Sequence, residues 1–145
     1  MVKLKQGDII KIDFNPQSGH EQAGYRPAVV VSADYYNLIT GFVIVCPITN
    51  TDNSFPLHIP LDNRTKTTGF VLCEHIKALD ISSRNYRFVE RMPDDILTEV
   101  IDTVYSEFAI ESDTYSLLDA FLALSHDERN VFIHEASKHI ATDDN

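Results

Sequence analysis

The segment Gly-Asp-Ile-Ile-Lys-Ile-Asp-Phe, at Gly7–Phe14, alternates between apolar and polar side chains. Ile10, Ile12 and Phe14 fall on one face of an extended chain, and polar residues separate them. Because successive side chains of a strand point to opposite faces, this pattern predicts a strand with one buried face. The proline and two glycines of Asn15–Tyr25 then predict a polar loop.

Further strands are predicted at short spacing along the first half of the chain. Pro27–Ser32 and Phe42–Ile48 are continuous apolar runs rich in Val and Ile, which is typical of central strands. Phe55–Leu61 contains two prolines, which indicate an edge strand or hairpin arm. Two shorter strands are expected at Gly69–Cys73 and Arg84–Glu90. A turn or short helix is expected between them, at Ile76–Ile81. This spacing predicts a small barrel or a strongly bent sheet.

The second half of the chain is predicted to be helical. Pro93 opens a segment with two acidic residues in its first turn, followed by an apolar stripe at helical spacing. Two more helices are expected, over Tyr115–Leu124 and from Ser125 to about Ile140. The second begins with Ser-His-Asp-Glu, a capping-box sequence. The last residues, Ala141–Asn145, are expected to be disordered.

Composition and charge narrow the class of protein. No apolar run approaches the roughly 20 residues that a membrane helix needs, and the N-terminus lacks the apolar core of a signal peptide. The protein is therefore expected in the cytoplasm. Cys46 and Cys73 lie in apolar runs, which favours two buried thiols over a disulfide.

The formal net charge of -10 argues against nonspecific binding of nucleic acid. The charge is unevenly distributed, since Met1–Glu90 contains nine acids and nine bases. Arg91–Asn145 contains thirteen acids and three bases, which accounts for the whole excess. Any surface for nucleic acid is thus expected within the first ninety residues.

The stretch around Glu21-Gln22-Ala23-Gly24-Tyr25-Arg26-Pro27 closely resembles toxins of the MazF/PemK/Kid family. The similarity continues in order through Cys-Pro-Ile-Thr at Cys46–Thr49, Lys-Thr-Thr-Gly at Lys66–Gly69 and Cys-Glu-His-Ile-Lys-Ala-Leu-Asp at Cys73–Asp80. It then extends into the helix after Pro93 and stops near Ile110.

The resemblance implies an α+β fold that is mainly β, with an SH3-like small barrel and a C-terminal helix. It also implies a homodimer with a cognate antitoxin as partner. The expected activity is a sequence-selective endoribonuclease for single-stranded mRNA. Such an enzyme would need no metal or other cofactor, because the 2′-hydroxyl of the RNA is the nucleophile. Its products would be a 2′,3′-cyclic phosphate and a 5′-hydroxyl.

Four residues are predicted to be catalytic. Arg26 is placed to offer its planar guanidinium to a phosphate oxygen, and a structural salt bridge to Glu21 is the alternative. Thr49 resembles the family's threonine that binds a phosphate oxygen. His20 and Glu74 are both candidates for taking the proton of the 2′-hydroxyl.

One position departs from the pattern of the PemK/Kid branch. That branch has an arginine two residues before the acid that matches Glu74, whereas this chain has Leu72. Some MazF members also carry an aliphatic residue there and rely on the arginine that matches Arg26. The resemblance therefore implies a hybrid site, and Leu72 leaves open whether activity is reduced.

Contacts to RNA beyond the scissile phosphate are expected from polar residues in loops. Surface cations and hydroxyls suit phosphate contacts, whereas a carboxylate or imidazole suits a base edge. The predicted RNA-binding residues are Glu21, Arg64, Lys66, Thr67, Thr68, His75, Lys77 and Arg84.

The sequence His134-Glu135-x-x-x-His139 resembles a zinc-binding helix motif, but its spacing is wrong. The true motif places two histidines four residues apart on one helix face. A spacing of five turns the second histidine roughly 140° away from the first. No metal site is expected here.

Two domains are expected: a toxin-like domain over residues 1–110 and an acidic helical extension over residues 111–145. The extension contains eight acids against Arg129 and Lys138. It is interpreted either as a structural helical pair that closes over the barrel or the dimer, or as a mimic of the antitoxin that covers the RNA groove.

Two alternatives to the enzyme remain open. Toxins of the CcdB type use a related barrel to inhibit DNA gyrase without cleaving anything. A degenerate relative could also bind only RNA or an antitoxin. The Glu-Gln-x-Gly-x-Arg-Pro sequence and Thr49 favour the ribonuclease, whereas Leu72 and the net acidity weigh against it.

Overall fold

The computed structural model describes residues 3–51, 54–108 and 113–140. The chain separates into two compact units, Met1–Phe108 and Ala109–Asn145. Within the described ranges, no helix is both long enough and apolar enough to cross a membrane.

The first unit contains an antiparallel sheet of seven strands. These are β1 (Asp8–Asp13), β2 (Tyr25–Val30), β3 (Phe42–Thr49), β4 (His58–Pro60), β5 (Phe70–Leu72), β6 (Lys77–Asp80) and β7 (Tyr86–Arg91). Hydrogen-bonded neighbours follow the order β4-β5-β3-β2-β1-β7, and β6 also pairs with β3. The α+β class, with a mainly β sheet, is confirmed.

Strand β3 is the centre of this sheet because two other strands, β6 and β5, pair with successive parts of it. Its first half, Phe42–Val45, pairs with β6, and its last residues, Ile48 and Thr49, pair with β5. The sheet therefore bends strongly around β3 and is barrel-like. It is not closed, since β4 and β7 do not pair with each other in the described part of the chain.

Two local predictions differ from the structure. The turn or short helix expected over Ile76–Ile81 was wrong, because Lys77–Asp80 forms β6. Four residues give too short an alternation to distinguish a strand from a turn. The helix α1 (Asp34–Thr40) was missed; it is only seven residues long and ends on Gly41 in a left-handed conformation.

Both faces of the sheet are covered by apolar clusters. Ile10, Ile12 and Phe14 share one cluster, as the alternation of β1 predicted. Ile9 is also fully buried and belongs to the second cluster, which includes the helix α2 (Asp94–Ser106). The prediction of a single buried face for β1 was therefore incomplete. Its other face is buried as well, because α2 packs over that side.

The second unit contains two helices, α3 (Asp113–Ala123) and α4 (His126–Ile140), close to the predicted ranges. The Phe121 and Phe132 rings lie 5.4 Å apart, and the Arg129 guanidinium lies over Phe121. The predicted capping box is confirmed: the Ser125 backbone N–H donates to Glu128 at 2.8 Å, and the Glu128 N–H donates to Ser125 Oγ. The disorder expected for Ala141–Asn145 lies outside the described residues.

Of the glycines in the first unit, Gly69 lies closest to another stretch of backbone, at the end of β3. It has φ +113°, and a Cβ atom there would lie 2.1 Å from the Thr49 carbonyl oxygen. A side chain at this position would therefore push the end of β3 away from β5.

We expect Gly69→Ala to lower the free energy of unfolding by about 2 kcal/mol or more, because it adds a backbone clash to a strained φ. Urea denaturation would measure the change. The matched control is Gly41→Ala, at φ +74°, where an added methyl group would meet no atom of the described residues within 4 Å. That variant should cost only about 1 kcal/mol. Equal losses in the two variants would contradict the proposed clash.

Candidate active site

Two adjoining clefts lie at one end of the sheet. The first, of ≈ 290 Å³, is lined by Gln22, Arg26, Thr49, Thr51, His58, Leu72, Glu74 and His75. The second, of ≈ 410 Å³, is lined by Phe14, His20, Glu21, Gln22, Glu74, His75, Ile76 and Lys77. Gln22, Glu74 and His75 line both clefts, so together they form a continuous groove. All four residues predicted to be catalytic line this groove.

Arg26 lies on β2 and is oriented by the loop that precedes it. Its Nε donates to the Ala23 carbonyl oxygen at 2.7 Å, and its Nη1 donates to the Gln22 side chain. The alternative salt bridge to Glu21 is not formed, since Glu21 pairs with Lys77. Two contacts to its own loop fix the guanidinium beside the first cleft, which suits recognition of a phosphate group.

Thr49 lies at the point where β3 leaves the sheet. Its Oγ1 accepts the Thr51 backbone N–H at 3.3 Å. A hydroxyl that accepts one hydrogen bond keeps its own proton for another partner. Because the backbone of Thr49 packs against Gly69, the position of this hydroxyl is fixed by the fold.

Glu74 forms a short hydrogen bond with His58, a residue that sequence reasoning missed. The His58 Nε2 lies 2.6 Å from Glu74 Oε1, and the His58 side chain is only 6% exposed, against 25% for Glu74. The register of β4 and β5 sets His58 opposite Leu72, two residues before Glu74. The sequence shows a histidine within the expected edge strand Phe55–Leu61, but no local signal separates its role from that of a core residue.

The Phe55 ring packs edge-on against the His58 imidazole, with centroids 5.4 Å apart. Together with Glu74 this contact fixes the orientation of the imidazole. Leu72 lies beside the pair and is buried. An apolar side chain therefore forms this part of the wall of the first cleft.

The second cleft is crossed by an ion pair. Lys77 Nζ on β6 lies 3.2 Å from Glu21 Oε2 in the loop between β1 and β2. The hydrogen bond from Lys77, with help from the Ser18 backbone N–H, holds the pKa of Glu21 below its usual value. His20 is exposed in the same loop, and His75 Nε2 lies 3.7 Å from Glu74 Oε1.

Arg64 and Arg84 lie outside the two clefts. The Arg64 guanidinium bridges Asp62 and Asp95 at 2.7 to 3.1 Å. Those hydrogen bonds raise the pKa of Arg64 and lower that of both carboxyls. Arg84 donates to two backbone carbonyl oxygens near the end of β1, at 2.7 and 2.8 Å. Their roles as RNA ligands remain predictions.

The Lys66–Gly69 loop is tied to two parts of the sheet. Backbone N–H groups of Lys66 and Thr67, and the Thr67 hydroxyl, donate to Glu90 on β7 at 2.8 to 3.0 Å. Burial opposes ionisation of Glu90, but these hydrogen bonds outweigh it and lower its pKa. The Thr68 hydroxyl donates to Asn50, next to Thr49. Thr68 and Gly69 thereby connect the loop to the end of β3, where Thr49 lines the first cleft.

Beneath the groove lie the two cysteines, which are free and buried as predicted. The contact with the Cys73 thiol and burial raise the pKa of Cys46 far above its ordinary value. In the described part of the chain, His, Cys, Asp and Glu side chains form no group of three or more that could hold a metal ion.

A second carboxylate, Glu107, lies near Glu74 at the end of α2. Burial, followed by the negative charge of Glu74, raises the pKa of Glu107 above its usual 4.5. Glu107 lines neither of the two clefts.

The family profile of PemK-like, MazF-like toxins of type II toxin-antitoxin systems matches residues 5–108. The chain belongs to this family. It is 31% identical over 102 residues to endoribonuclease PemK of Escherichia coli, covering 68% of this chain and 77% of that protein. It is 38% identical over 73 residues to the endoribonuclease toxin MazF of E. coli K12, covering 50% of this chain and 65% of that protein.

Solved structures agree with this assignment. The crystal structure of MazF (Form-I) from Deinococcus radiodurans matches with a TM-score of 0.70 and 34% identity, covering 74% of this chain and 97% of that chain. A MazE–MazF structure (Form-II) from the same organism matches with a TM-score of 0.65 and 34% identity over the same shares. The matched part corresponds to the first unit in length, and the family range ends at Phe108.

The raised pKa of Glu107 generates a prediction about stability. Native Glu107 holds its proton more tightly than the unfolded chain does, so the stability contributed by this group is present at acid pH and is lost as pH rises above 4.5. We expect Glu107→Gln to stabilise the protein relative to wild type more strongly at pH 7 than at pH 4. Urea denaturation at both pH values would measure this.

Glu99→Gln is the matched control, because Glu99 is an exposed acid on the same helix. It removes the same formal charge away from Glu74. If both variants showed the same pH dependence, a general charge effect would explain the result and the local one would be rejected.

Proposed function

We propose that this protein is the toxin of a type II toxin-antitoxin system. Its proposed activity is that of a metal-independent endoribonuclease, which cuts single-stranded mRNA at selected sequences. The observation that carries the proposal is the grouping of Arg26, Thr49 and Glu74 in one cleft, with His58 bonded to Glu74 from below. This cleft combines a phosphate-binding cation, a hydroxyl donor and a proton acceptor.

Glu74 is the proposed general base. It takes the proton from the RNA 2′-hydroxyl as the 2′-oxygen attacks phosphorus. The His58 side chain lines the cleft but is only 6% exposed, and its Nε2 holds the carboxylate in place through Oε1. His58 is therefore a positioning residue, and Glu74 lines both clefts of the groove.

Arg26 and Thr49 are the proposed ligands of the phosphate. As the new O–P bond forms, negative charge builds on the non-bridging oxygens. A preorganised guanidinium and a hydroxyl donor stabilise that charge more in the transition state than in the substrate. Because Ala23 and Gln22 already orient Arg26, little reorganisation is needed when RNA binds.

His20 is the proposed acid for the leaving group. It lies in the loop between β1 and β2 and shares the second cleft with Glu74. A proton passes from its imidazolium to the 5′-oxygen as the P–O5′ bond breaks. The proposed products are a 2′,3′-cyclic phosphate and a 5′-hydroxyl, with no metal ion in any step.

The second cleft is the proposed path of the RNA beside the cut. Lys77 suits a phosphate, while Glu21 and His75 suit base edges that single-stranded RNA exposes. Arg64, Lys66, Thr67, Thr68 and Arg84 remain predicted outer contacts. The Glu21–Lys77 ion pair would separate to admit the RNA. This costs little free energy, because an exposed ion pair is weak.

The proposed partners are a cognate antitoxin and a second copy of the chain. The similar structure from D. radiodurans contains MazF together with MazE. We place the protein in the cytoplasm, where its mRNA substrate is found.

We expect the purified protein to cut a long RNA in the presence of EDTA and to leave 2′,3′-cyclic phosphate and 5′-hydroxyl ends. Arg26→Ala should lower the cleavage rate by about 100-fold or more, since one preorganised donor to the transition state is lost. End labelling of the fragments would identify the termini, and single-turnover kinetics would give the rates.

Arg87→Ala is the matched control, since Arg87 is an exposed arginine on β7 that lines neither cleft. It should cleave at close to the wild-type rate. Absence of cleavage by the folded wild type would reject the enzyme and favour a non-catalytic binding module. Unchanged cleavage by Arg26→Ala would reject the site.

The acidic extension offers a separate test. If residues 111–145 compete with RNA for Arg26 and Lys77 of the groove, their removal should raise the cleavage rate several-fold at low salt. The gain should shrink at high salt, because screening weakens charge interactions. Circular dichroism would check that the shortened chain is folded. An unchanged rate would leave the extension with a structural role.

A further inference from the structure

The side chain of Gln22 lines both clefts of the groove and is half-buried. The proposed function uses only its amide oxygen, which accepts a hydrogen bond from Arg26. Its Nε2 carries two further donors. This nitrogen makes no hydrogen bond within the described part of the chain, and it is not one of the buried polar atoms that lack a partner. The two donors are therefore open to solvent in the groove.

The contact with Arg26 decides which atom of the amide faces the groove. A side-chain amide can turn by half a rotation and offer either its oxygen or its nitrogen. A guanidinium can only donate hydrogen bonds, so the amide oxygen must face it and Nε2 must point elsewhere. Because the Ala23 carbonyl oxygen holds Arg26 Nε at 2.7 Å, the guanidinium that sets this orientation is itself fixed.

The backbone of the loop is also fixed on both sides of Gln22. The Glu21 backbone N–H donates to the Ser18 carbonyl oxygen at 3.1 Å. The Gly24 N–H donates to the Asn15 side chain at 3.2 Å. The donors of Gln22 are thus presented at a defined place, which selective recognition of a ligand needs.

The position of Gln22 between the clefts indicates which part of the RNA it meets. The first cleft is the proposed site of the scissile phosphate. The second cleft has apolar Phe14 and Ile76 among its lining residues. An apolar lining suits the face of an unstacked base and does not suit a phosphate. A nucleotide that passes from the first cleft into the second therefore brings its base next to Gln22.

The chemistry of the free donors separates the four bases into two classes. Guanine carries a carbonyl oxygen at position 6 and uracil carries one at position 4, whereas adenine and cytosine carry amino groups there. A carbonyl oxygen accepts a hydrogen bond from Nε2. An amino group would place donor against donor, and each would lose a partner that it has in water.

We propose that Gln22 is a specificity-determining residue whose Nε2 donates to the carbonyl oxygen of a guanine or uracil next to the cut. The inference rests on the proposed function, because it concerns the nucleotide beside the phosphate held by Arg26 and Thr49. Gln22 thereby links the two clefts: its oxygen orients the guanidinium, and its nitrogen selects the base.

The test compares wild type, Gln22→Glu, Gln22→Met and the control Gln17→Glu. Gln17 is exposed in the same loop and lines neither cleft, so its substitution adds the same charge away from the groove. A pool of RNA with random sequence is cut under single-turnover conditions, and the fragment ends are sequenced. The measured quantity is the preference for guanine and uracil over adenine and cytosine at each position flanking the cut.

We expect wild type to prefer guanine and uracil about fivefold at one of these positions, as one hydrogen bond would give. Gln22→Glu keeps an oxygen for Arg26 but replaces the donors by an acceptor, so it should favour adenine and cytosine there. Gln22→Met offers neither group and should show no preference. Gln17→Glu should keep the wild-type preference. Each preference is a ratio within one sample, so a smaller folded fraction does not alter it.

The inference is overturned if wild type does not distinguish the two classes of base at either position. It is also overturned if Gln22→Met or Gln22→Glu keeps the wild-type preference. A residue that only orients Arg26 would give this second result, because its loss would slow cleavage of all sequences equally.

Absence of RNA cleavage by wild type would reject the proposed function instead. Binding to a random pool of 2′-fluoro RNA, which lacks the nucleophile, would then decide the role of Gln22. Enrichment of guanine or uracil at one position of the bound motif, lost in Gln22→Met, would support the contact. Equal enrichment by the two proteins would overturn it.

Discussion

The hydrogen bond between His58 and Glu74 joins two separate parts of the first unit, and a third part packs over them. His58 lies on the short strand β4, Glu74 lies on the turn after β5, and α2 covers the region from outside. The bond is short, and the histidine is almost fully buried. A buried charge-assisted hydrogen bond is costly to break, because each partner would remain desolvated. The cleft around Glu74 therefore depends on this contact for its shape.

The rest of the groove is built around the shared strand β3. Strand β6 pairs with the first half of β3, and β5 pairs with its end, so the sheet bends where the pairing partner of β3 changes. Thr49 lies at the end of β3, and Arg26 lies on β2, the neighbouring strand. The close approach of Gly69 fixes that end from the other side. The groove is thus a consequence of strand pairing as much as of its own side chains.

Sequence reasoning located the long strands and the helices because their apolar periods are distinct. It failed at β6 and α1, where four and seven residues give too little pattern. The motif around Arg26 identified one wall of the groove. His58 was missed because nothing local distinguishes a histidine that supports a carboxylate from one that fills a core. Its role depends on the register of β4 with β5, which brings together residues 16 positions apart.

The sequence also could not separate cations that face the groove from cations used by the fold. Arg64 and Arg84 look like RNA ligands when charged loop residues are considered by type alone. In the structure, the first bridges two carboxylates and the second binds backbone carbonyls. Each hydrogen bond already made must be broken or shared before RNA can use the same donor. Lys77 differs, since its single partner Glu21 is exposed and an exposed ion pair is weak.

Glu107 shows why the composition of such a site is not set by stability alone. Placing a second carboxylate near Glu74, with a buried oxygen that no described residue satisfies, costs stability at neutral pH. A glutamine or an apolar residue would remove that repulsion. Natural proteins tolerate local costs of this kind where a strained or charged arrangement serves activity. Because the ionised Glu107 opposes folding at neutral pH, stability does not explain its place at the end of α2.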